Sequence, residues 1–401
     1  MEVRQDTLSD LERRVLALVD ADDLVAMTRR LVQAPGQNPP GDEAATADVL
    51  VDLAVGAGLE AHAWDVRPGR PNVEVVLPGG GGPGLLVLGH TDVVPVGDGW
   101  SLDPFGGEVR DGRLHGRGSS DMKGGLAAAL VAMRALRAAD VRPSGPVLLA
   151  ALADEEQEGI GVREWIARRP RHDLLGCLVA EPTDLQTIVA ARGACYLVVT
   201  VHGVAAHAGR PGDGRNAIHG AAAVVAEVER WHAELARSPH PLVGPPTFNV
   251  GVITGGTGGS VVPAECRVEV DRRLLPGESI ASVVEAVQAR LASLRLDERG
   301  LSWTLESPMD MPGFETQADH PVVVATDRAL ADAGGPGLPL GGWTAACDGG
   351  FVDAEWGLPV VVLGPGSVSD QAHRPDESVG VDELVVAARA YALAALRLLT
   401  P

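Results

Sequence analysis

Positive charge is scarce in this chain: 33 Lys plus Arg stand against 54 Asp plus Glu, a formal net charge of -21 over 401 residues. A field of that sign repels nucleic acid and anionic membrane, so neither is expected as a partner. It attracts divalent cations wherever acids are concentrated, while most of it belongs to an ordinary soluble surface. Cysteine is scarce as well. Cys177, Cys195, Cys266 and Cys347 lie far apart and form no CxxC or zinc-ribbon spacing. Three of them sit in or beside apolar runs and read as small hydrophobes, reduced and buried in a cytoplasmic protein. The amino-terminal MEVRQDTLSDLERRVLALVD mixes acids with bases and has no apolar core, so no secretory leader is expected. No run of about 20 apolar residues occurs, which excludes an ordinary transmembrane helix. The run PGGGGPG lacks a following GK[ST] and reads as a turn between strands rather than a phosphate loop.

What is present is organised around LLVLGHTDVVP, residues 85–95. An apolar run into Gly89 predicts a short buried strand, with His90 and Asp92 at its end. In extended backbone, positions i and i+2 point to one side, which puts an imidazole beside a carboxylate able to orient it. Alone, the pair reads more readily as a surface turn after a strand, since single His/Asp pairs are common. Four later stretches repeat the arrangement: PVLLAALADEE ends at Asp154, Glu155 and Glu156, GCLVAEPT at Glu181, GRGSSDMKGG carries Asp121, and QAHRPDE carries His373 soon after LPVVVLG. Acids and histidines at strand ends converge when the strands are parallel.

The chain is long enough for two domains. Apolar spacing predicts one or two helices over 8–32, broken by APGQNPPG, and a helix over 43–57. Strands follow at 60–66 and 72–77, and a helix after Asp121. Then come a strand at 146–153, a helix at 162–167 and a strand at 176–180. This is the βαβ rhythm of an α/β, mostly parallel sheet. From Cys195 the order changes to βαββαβ: CYLVVTVH, a helix over 216–235, TFNVGVIT, ECRVEVDRR, a helix over 280–294 and LSWTLE. That is a ferredoxin-like unit. A helix at 319–333, LPVVVLG and a helix at 381–399 resume the first pattern. The expected organisation is a discontinuous catalytic domain, 1–193 and 309–401, with an inserted lid and dimerisation domain, 194–308.

His90, Asp121, Glu156, Glu181 and His373 form a mixed N/O donor set suited to zinc, and also to cobalt or manganese. Five ligands suit two ions when one carboxylate bridges, and such a pair makes hydroxide at neutral pH and polarises a scissile carbonyl. Glu155, beside Glu156, can serve as the proton shuttle.

GHTDVVP, GRGSSDMKGG, ADEEQEG, AEPT and QAHRPDE, in this order, resemble the co-catalytic zinc amidohydrolase and metallopeptidase family of acetylornithine deacetylase, succinyl-diaminopimelate desuccinylase, carboxypeptidase G and aminoacylase. The resemblance spans nearly the whole chain. It implies that Asp121 bridges two zinc ions, that His90 and Glu181 complete one and Glu156 and His373 the other, that Glu155 is the general base and acid, and that Asp92 orients His90. It further implies that His207, in HGVAAHAGRP, donates to the oxyanion, often across a homodimer. The family pattern DxRxxPG matches Asp271, Arg273 and Pro276, so Arg273, rather than Arg272, resembles the clamp for a substrate carboxylate. Ser260 and Gly366 join it as candidate substrate-binding positions. Two departures stand out: Ser260 occupies a position where the family commonly has Asn, and Gly350 in CDGGF replaces an Arg of desuccinylase-like members. The expected activity is hydrolysis of the amide of a small N-acyl amino acid. A dipeptidase or carboxypeptidase of the same family is the alternative, and a non-catalytic metal-retaining protein the more distant one.

Overall fold

The computed structural model describes residues 8–169 and 173–400; the first seven residues of the stretch read above for a leader lie outside the described residues. The chain divides into two compact units. The first runs through Val189 and includes Glu315–Gly342 and the residues from Asp348 on; the second is Ala190–Phe314 with Trp343–Cys347.

The first unit centres on a mixed sheet. Its middle strands, Val147–Leu152, Gly84–His90, Leu174–Val179 and Val360–Val362, lie in that spatial order and run parallel. Every residue of the first two is buried, as a sheet covered on both faces requires. The parallel arrangement expected from the sequence therefore holds at the centre. The flanks are antiparallel: Arg70–Leu77 and Glu60–Arg67 on one side, Ile188–Ala191 on the other. The alanine-rich helices Gly124–Ala138 and Val381–Leu399 pack on each other within one apolar core. Gly125 has a specific task, because a Cβ there would lie 2.0 Å from the Ala180 carbonyl oxygen. Glycine lets the helix start touch the strand end that leads into Glu181.

The 8–32 region resolves into Asp10–Leu16 and Ala21–Val32. Ser9 and Glu12 form a reciprocal capping box at the first, and Asp20 caps the second. Helices Pro321–Ala333 and Val381–Leu399 form where expected. The sequence reading missed helix Gly349–Trp356 and a ladder of three short strands, Ser378–Gly380, Arg113–His115 and Val109–Arg110. Strands of two or three residues carry no periodicity to detect, and the helix opens on two glycines.

The second unit is a four-stranded antiparallel sheet in the order Thr247–Gly255, Glu265–Leu274, Gly193–His202, Ser302–Met311. Numbered along the chain, that order is 2-3-1-4, the ferredoxin-like arrangement, with helices Ala217–Leu235 and Ile280–Ser293 as its crossovers. Cys266, Val268 and Val270 join the core shared with these helices, while Glu265 and Arg267 are exposed. The last strand runs on past residue 308 to Met311, and this segment of the unit ends at Phe314. No helix of the described residues is long and apolar enough to cross a membrane.

Candidate metal centre

The site forms where the parallel strands end. His90 closes its strand and is 1% exposed. Its Nδ1 lies 2.9 Å from the main-chain oxygen of Asp92, which leaves Nε2 facing Asp121 Oδ1 at 3.1 Å and Glu181 Oε1 at 3.5 Å. On the opposite side, His373 Nε2 lies 3.4 Å from Asp121 Oδ2 and 3.1 Å from Glu156 Oε2. Asp121 thus divides its two oxygens between two sets, His90 with Glu181 and His373 with Glu156. The set expected from the sequence is gathered in one place although its members are spread over nearly 300 residues. Donor atoms of His90, Asp121 and Glu156, and equally of His90, Glu155 and Glu181, lie within 4.8 Å of one another. Glu155 therefore reaches the same cluster.

Asp92 does more than the sequence suggested, and by a different route. The chain leaves the strand after His90, so the i, i+2 geometry of extended backbone no longer applies. The Asp92 carboxylate is 3.6 Å from His90 Nδ1, and the orienting hydrogen bond goes to its carbonyl instead. The carboxylate accepts the backbone N–H of Glu155 at 3.1 Å and of Glu156 at 3.2 Å. It fixes the turn that bears both glutamates. Asn38, which the sequence reading passed over as part of a helix-breaking segment, donates to both Asp92 and Asp154 at 2.9 Å. Asp154 accepts the N–H groups of Glu158 and Ile160 and pairs with Arg70 at 2.8 Å.

Charge is concentrated here. Burial, the largest influence, and the neighbouring Glu181, Asp348 and Glu156 push the Glu155 carboxyl well above its ordinary range, against the opposing pull of His90. Glu181 is raised by burial and Asp121, and Glu156 by burial with a smaller contribution from Asp121. Burial opposes protonation of His90, but Glu181, Asp121 and Glu155 outweigh it and hold the imidazole above its usual range. Buried carboxyls that repel one another around two imidazoles are relieved by divalent cations. With imidazole nitrogens and carboxylate oxygens as donors, these residues fit a pair of such ions.

Asp348 is a further buried acid that the sequence reading did not single out. It is 2% exposed, and neither carboxylate oxygen has a hydrogen-bond partner among the described residues. Burial, then the charges of Asp92 and Asp154, raise it from 3.8 to about 7, opposed by His90 and Arg163. The folded state therefore binds this proton more tightly than the unfolded state. This group's contribution to stability is fully present below about pH 3.8 and is lost as pH rises through about 7, by on the order of 4 kcal/mol. Asp348→Asn in metal-free protein is expected to remove that loss. The stability gap between variant and wild type, read by urea unfolding, should widen between pH 4 and 7; a gap independent of pH would contradict the assignment.

The remaining candidates lie elsewhere. Gly366, at φ 85, packs against Ser120, where a Cβ would meet Oγ at 2.2 Å, and its N–H donates to Glu383 at 2.8 Å. Gly350 is buried in helix Gly349–Trp356. His207, Ser260 and Arg273 belong to the second unit. His207 is exposed and pairs with Val261 in a short ribbon, and the Ser260 carbonyl accepts the Ala208 N–H at 2.9 Å, so these two distant positions are neighbours. Arg272 is buried, bound to Glu278 at 2.8 Å and stacked over Phe248. Arg273 donates from Nε to Asp271 at 3.1 Å, and its terminal nitrogens have no partner among the described residues.

Fold and donor set together are those of a metal-assisted hydrolase. The chain belongs to peptidase family M20/M25/M40, whose model matches residues 86–397, and the resemblance read from the five motifs is borne out. It is 34% identical over 311 residues to an acetylornithine deacetylase of Salmonella arizonae, covering 75% of this chain and 76% of that one. Its fold matches a family M20 metallo-carboxypeptidase from Sulfolobus solfataricus, with a TM-score of 0.79 at 19% identity over 94% of this chain and 99% of that chain. It also matches a dinuclear metal-binding M20 peptidase of Bacillus subtilis, with a TM-score of 0.73 at 16% identity over 94% and 98%. The chain is thus a hydrolase of amide or peptide bonds.

Proposed function

We propose that this hydrolase uses two divalent ions, zinc or alternatively cobalt or manganese, to cleave the amide bond of N-acyl amino acids, releasing a carboxylate and a free amine. The observation that carries this reading is the division of the Asp121 oxygens between His90 with Glu181 and His373 with Glu156. The choice of an N-acyl amino acid is supported by the 34% identity to acetylornithine deacetylase. When bound, two ions of this kind supply a hydroxide at neutral pH and polarise the scissile carbonyl. Glu155 takes the proton of the attacking water and returns it to the leaving nitrogen. Asp92 keeps that carboxyl in place through the Glu155 N–H. A screen of N-acetyl and N-succinyl amino acids beside dipeptides, with zinc and with cobalt, tests the reading. Turnover confined to dipeptides would replace the deacylase with a dipeptidase.

Arg273 receives the substrate carboxylate in this reading, supported by its free terminal nitrogens. Arg273→Lys keeps the charge and loses the planar fork, so kcat/KM should fall about 10- to 100-fold with metal content unchanged. An N-acyl amino acid amide hydrolysed as well as its acid would remove the clamp. Ser260 and Gly366 are secondary candidates, and the Gly366 N–H is already engaged by Glu383.

The active form is proposed to be a homodimer through the second unit, which also serves as the lid. Its edge strand Thr247–Gly255 leaves Val252 45% and Ile253 52% exposed, and pairing such edges across a two-fold axis satisfies them. His207 then donates to the oxyanion in the partner's site. Mixing Glu155→Gln with His207→Ala under subunit exchange should restore activity; no recovery despite proven exchange would return His207 to its own subunit. A cytoplasmic setting is supported by the four cysteines, which are buried and form no disulfide.

A further inference from the structure

Asp121 can serve two ions only if its short, irregular loop is held still. The segment Ser119–Lys123 is a single tight turn in which Asp121 and Met122 leave helical geometry, entered through Gly118 at φ 83. No regular ladder fixes the Asp121 backbone. What does reach it is Glu377, 1% exposed. One carboxylate oxygen accepts two consecutive N–H groups, Ser120 at 2.9 Å and Asp121 at 3.0 Å. The other accepts Arg117 Nη1 at 2.6 Å.

The placement follows from the backbone. Ser378 pairs with His115 in the small antiparallel ladder, and the Gly116 N–H donates to the Glu377 carbonyl at 2.8 Å. The loop that carries Asp121 therefore leaves, and the loop that carries His373 arrives, side by side at the end of one ladder. Arg117 precedes Asp121 by four residues, and Glu377 follows His373 by four, so each tie stands at the root of a ligand-bearing loop. Arg117, 2% exposed, also donates to the carbonyls of Arg374 at 3.3 Å and of Pro95 and Val96 at 3.4 Å. One buried ion pair thereby touches the stems of three segments, those bearing His90, Asp121 and His373.

We infer that Glu377, locked by Arg117, is a positioning residue for the bridging carboxylate: it fixes the Asp121 backbone relative to the His373 loop and so sets the geometry in which both ions bind. This rests on the reading that Asp121 is shared by two ions. The alternative is that Glu377 only neutralises Arg117, since a buried arginine needs a partner whatever its function. The two differ in what an amide does. In Glu377→Gln the oxygen still accepts N–H groups, but the amide NH2 meets Arg117 donor to donor, and the loop must shift.

The test is calorimetric titration of metal-free protein with Zn2+, with the visible spectrum of the Co2+ form as a second readout. Four proteins are compared: wild type, Glu377→Gln, Arg117→Lys, and Glu74→Gln as a control. Glu74 is likewise a buried acid with polar partners, Trp165 at 3.1 Å and Arg169, but it lies on strand Arg70–Leu77 and touches none of the loops that bear the ligands in any hydrogen bond or ion pair among the described residues. Glu377→Gln should bind at least one ion about 10- to 100-fold more weakly and change the Co2+ spectrum. Arg117→Lys should do the same to a smaller degree, and Glu74→Gln should leave both readouts at wild-type values even where it lowers stability. Two ions bound by Glu377→Gln with wild-type affinity and spectrum would overturn the positioning role and leave the two-ion reading standing, as would an equal loss in Glu74→Gln. If Glu377→Gln does not fold, Arg117→Lys decides, and unchanged binding there overturns the inference. Fewer than two ions in wild type removes both.

Discussion

Glu155→Gln is expected to retain two divalent ions and to lose turnover by about 10²- to 10⁴-fold, the usual contribution of a positioned acid–base group. Retention follows from how the residue is held. Its backbone N–H is fixed by Asp92 and does not depend on the side chain, while the proposed metal sets are built from His90, Glu181, His373, Glu156 and Asp121. Loss follows from the chemistry, because glutamine fills the space but carries no exchangeable carboxyl proton. Although the residue keeps some surface, its carboxyl is enclosed by protein, and burial with Glu181, Asp348 and Glu156 raises it above the ordinary glutamate range. Metal analysis beside a turnover assay checks the prediction; near-normal turnover would move the proton shuttle to another residue.

Stripping the metal is expected to abolish activity and to weaken the fold. Three carboxyls that burial and neighbouring acids raise above their ordinary range, Glu155, Glu156 and Glu181, surround His90 and Asp121. Cations offset that repulsion in the folded state, and the unfolded chain has no preformed site to bind them. Each ion present at 1,000 times its Kd should therefore add about 4 kcal/mol to stability. Because both imidazoles must be neutral to coordinate, uptake should release protons and weaken as pH falls. Thermal unfolding with and without chelator, and calorimetry in buffers of different ionisation enthalpy, measure these effects. An unfolding midpoint unaffected by zinc would contradict the assigned ligands.

Three of the proposed ligands stood out in the sequence because they stand at the ends of apolar runs. His90 closes one strand of the parallel centre, and Glu156 and Glu181 follow two others; strand ends on one side of such a sheet meet. The second unit was legible for a similar reason: alternation in ECRVEVDRR states which face is buried, and Cys266, Val268 and Val270 are in the core. Residues that hold the ligands were not legible. Asn38 bonds Asp154 across 116 positions and Glu377 bonds Ser120 across 257, and a single polar residue in a loop carries no periodic signal of its partner. Asp92 was found, but its carboxylate role was not, since that depends on the chain turning out of the strand directly after His90. The antiparallel flanks escaped because alternation and apolarity describe faces, not strand direction.

The most direct test of the account is a back-titration. Metal-free protein is assayed for amine release from an N-acetyl amino acid as zinc is added in measured amounts, with bound zinc determined in the same samples. The account requires no hydrolysis without metal, and full activity when two ions are bound per chain. Hydrolysis by metal-free protein, or two bound ions with no hydrolysis of any N-acyl amino acid or dipeptide, would contradict it.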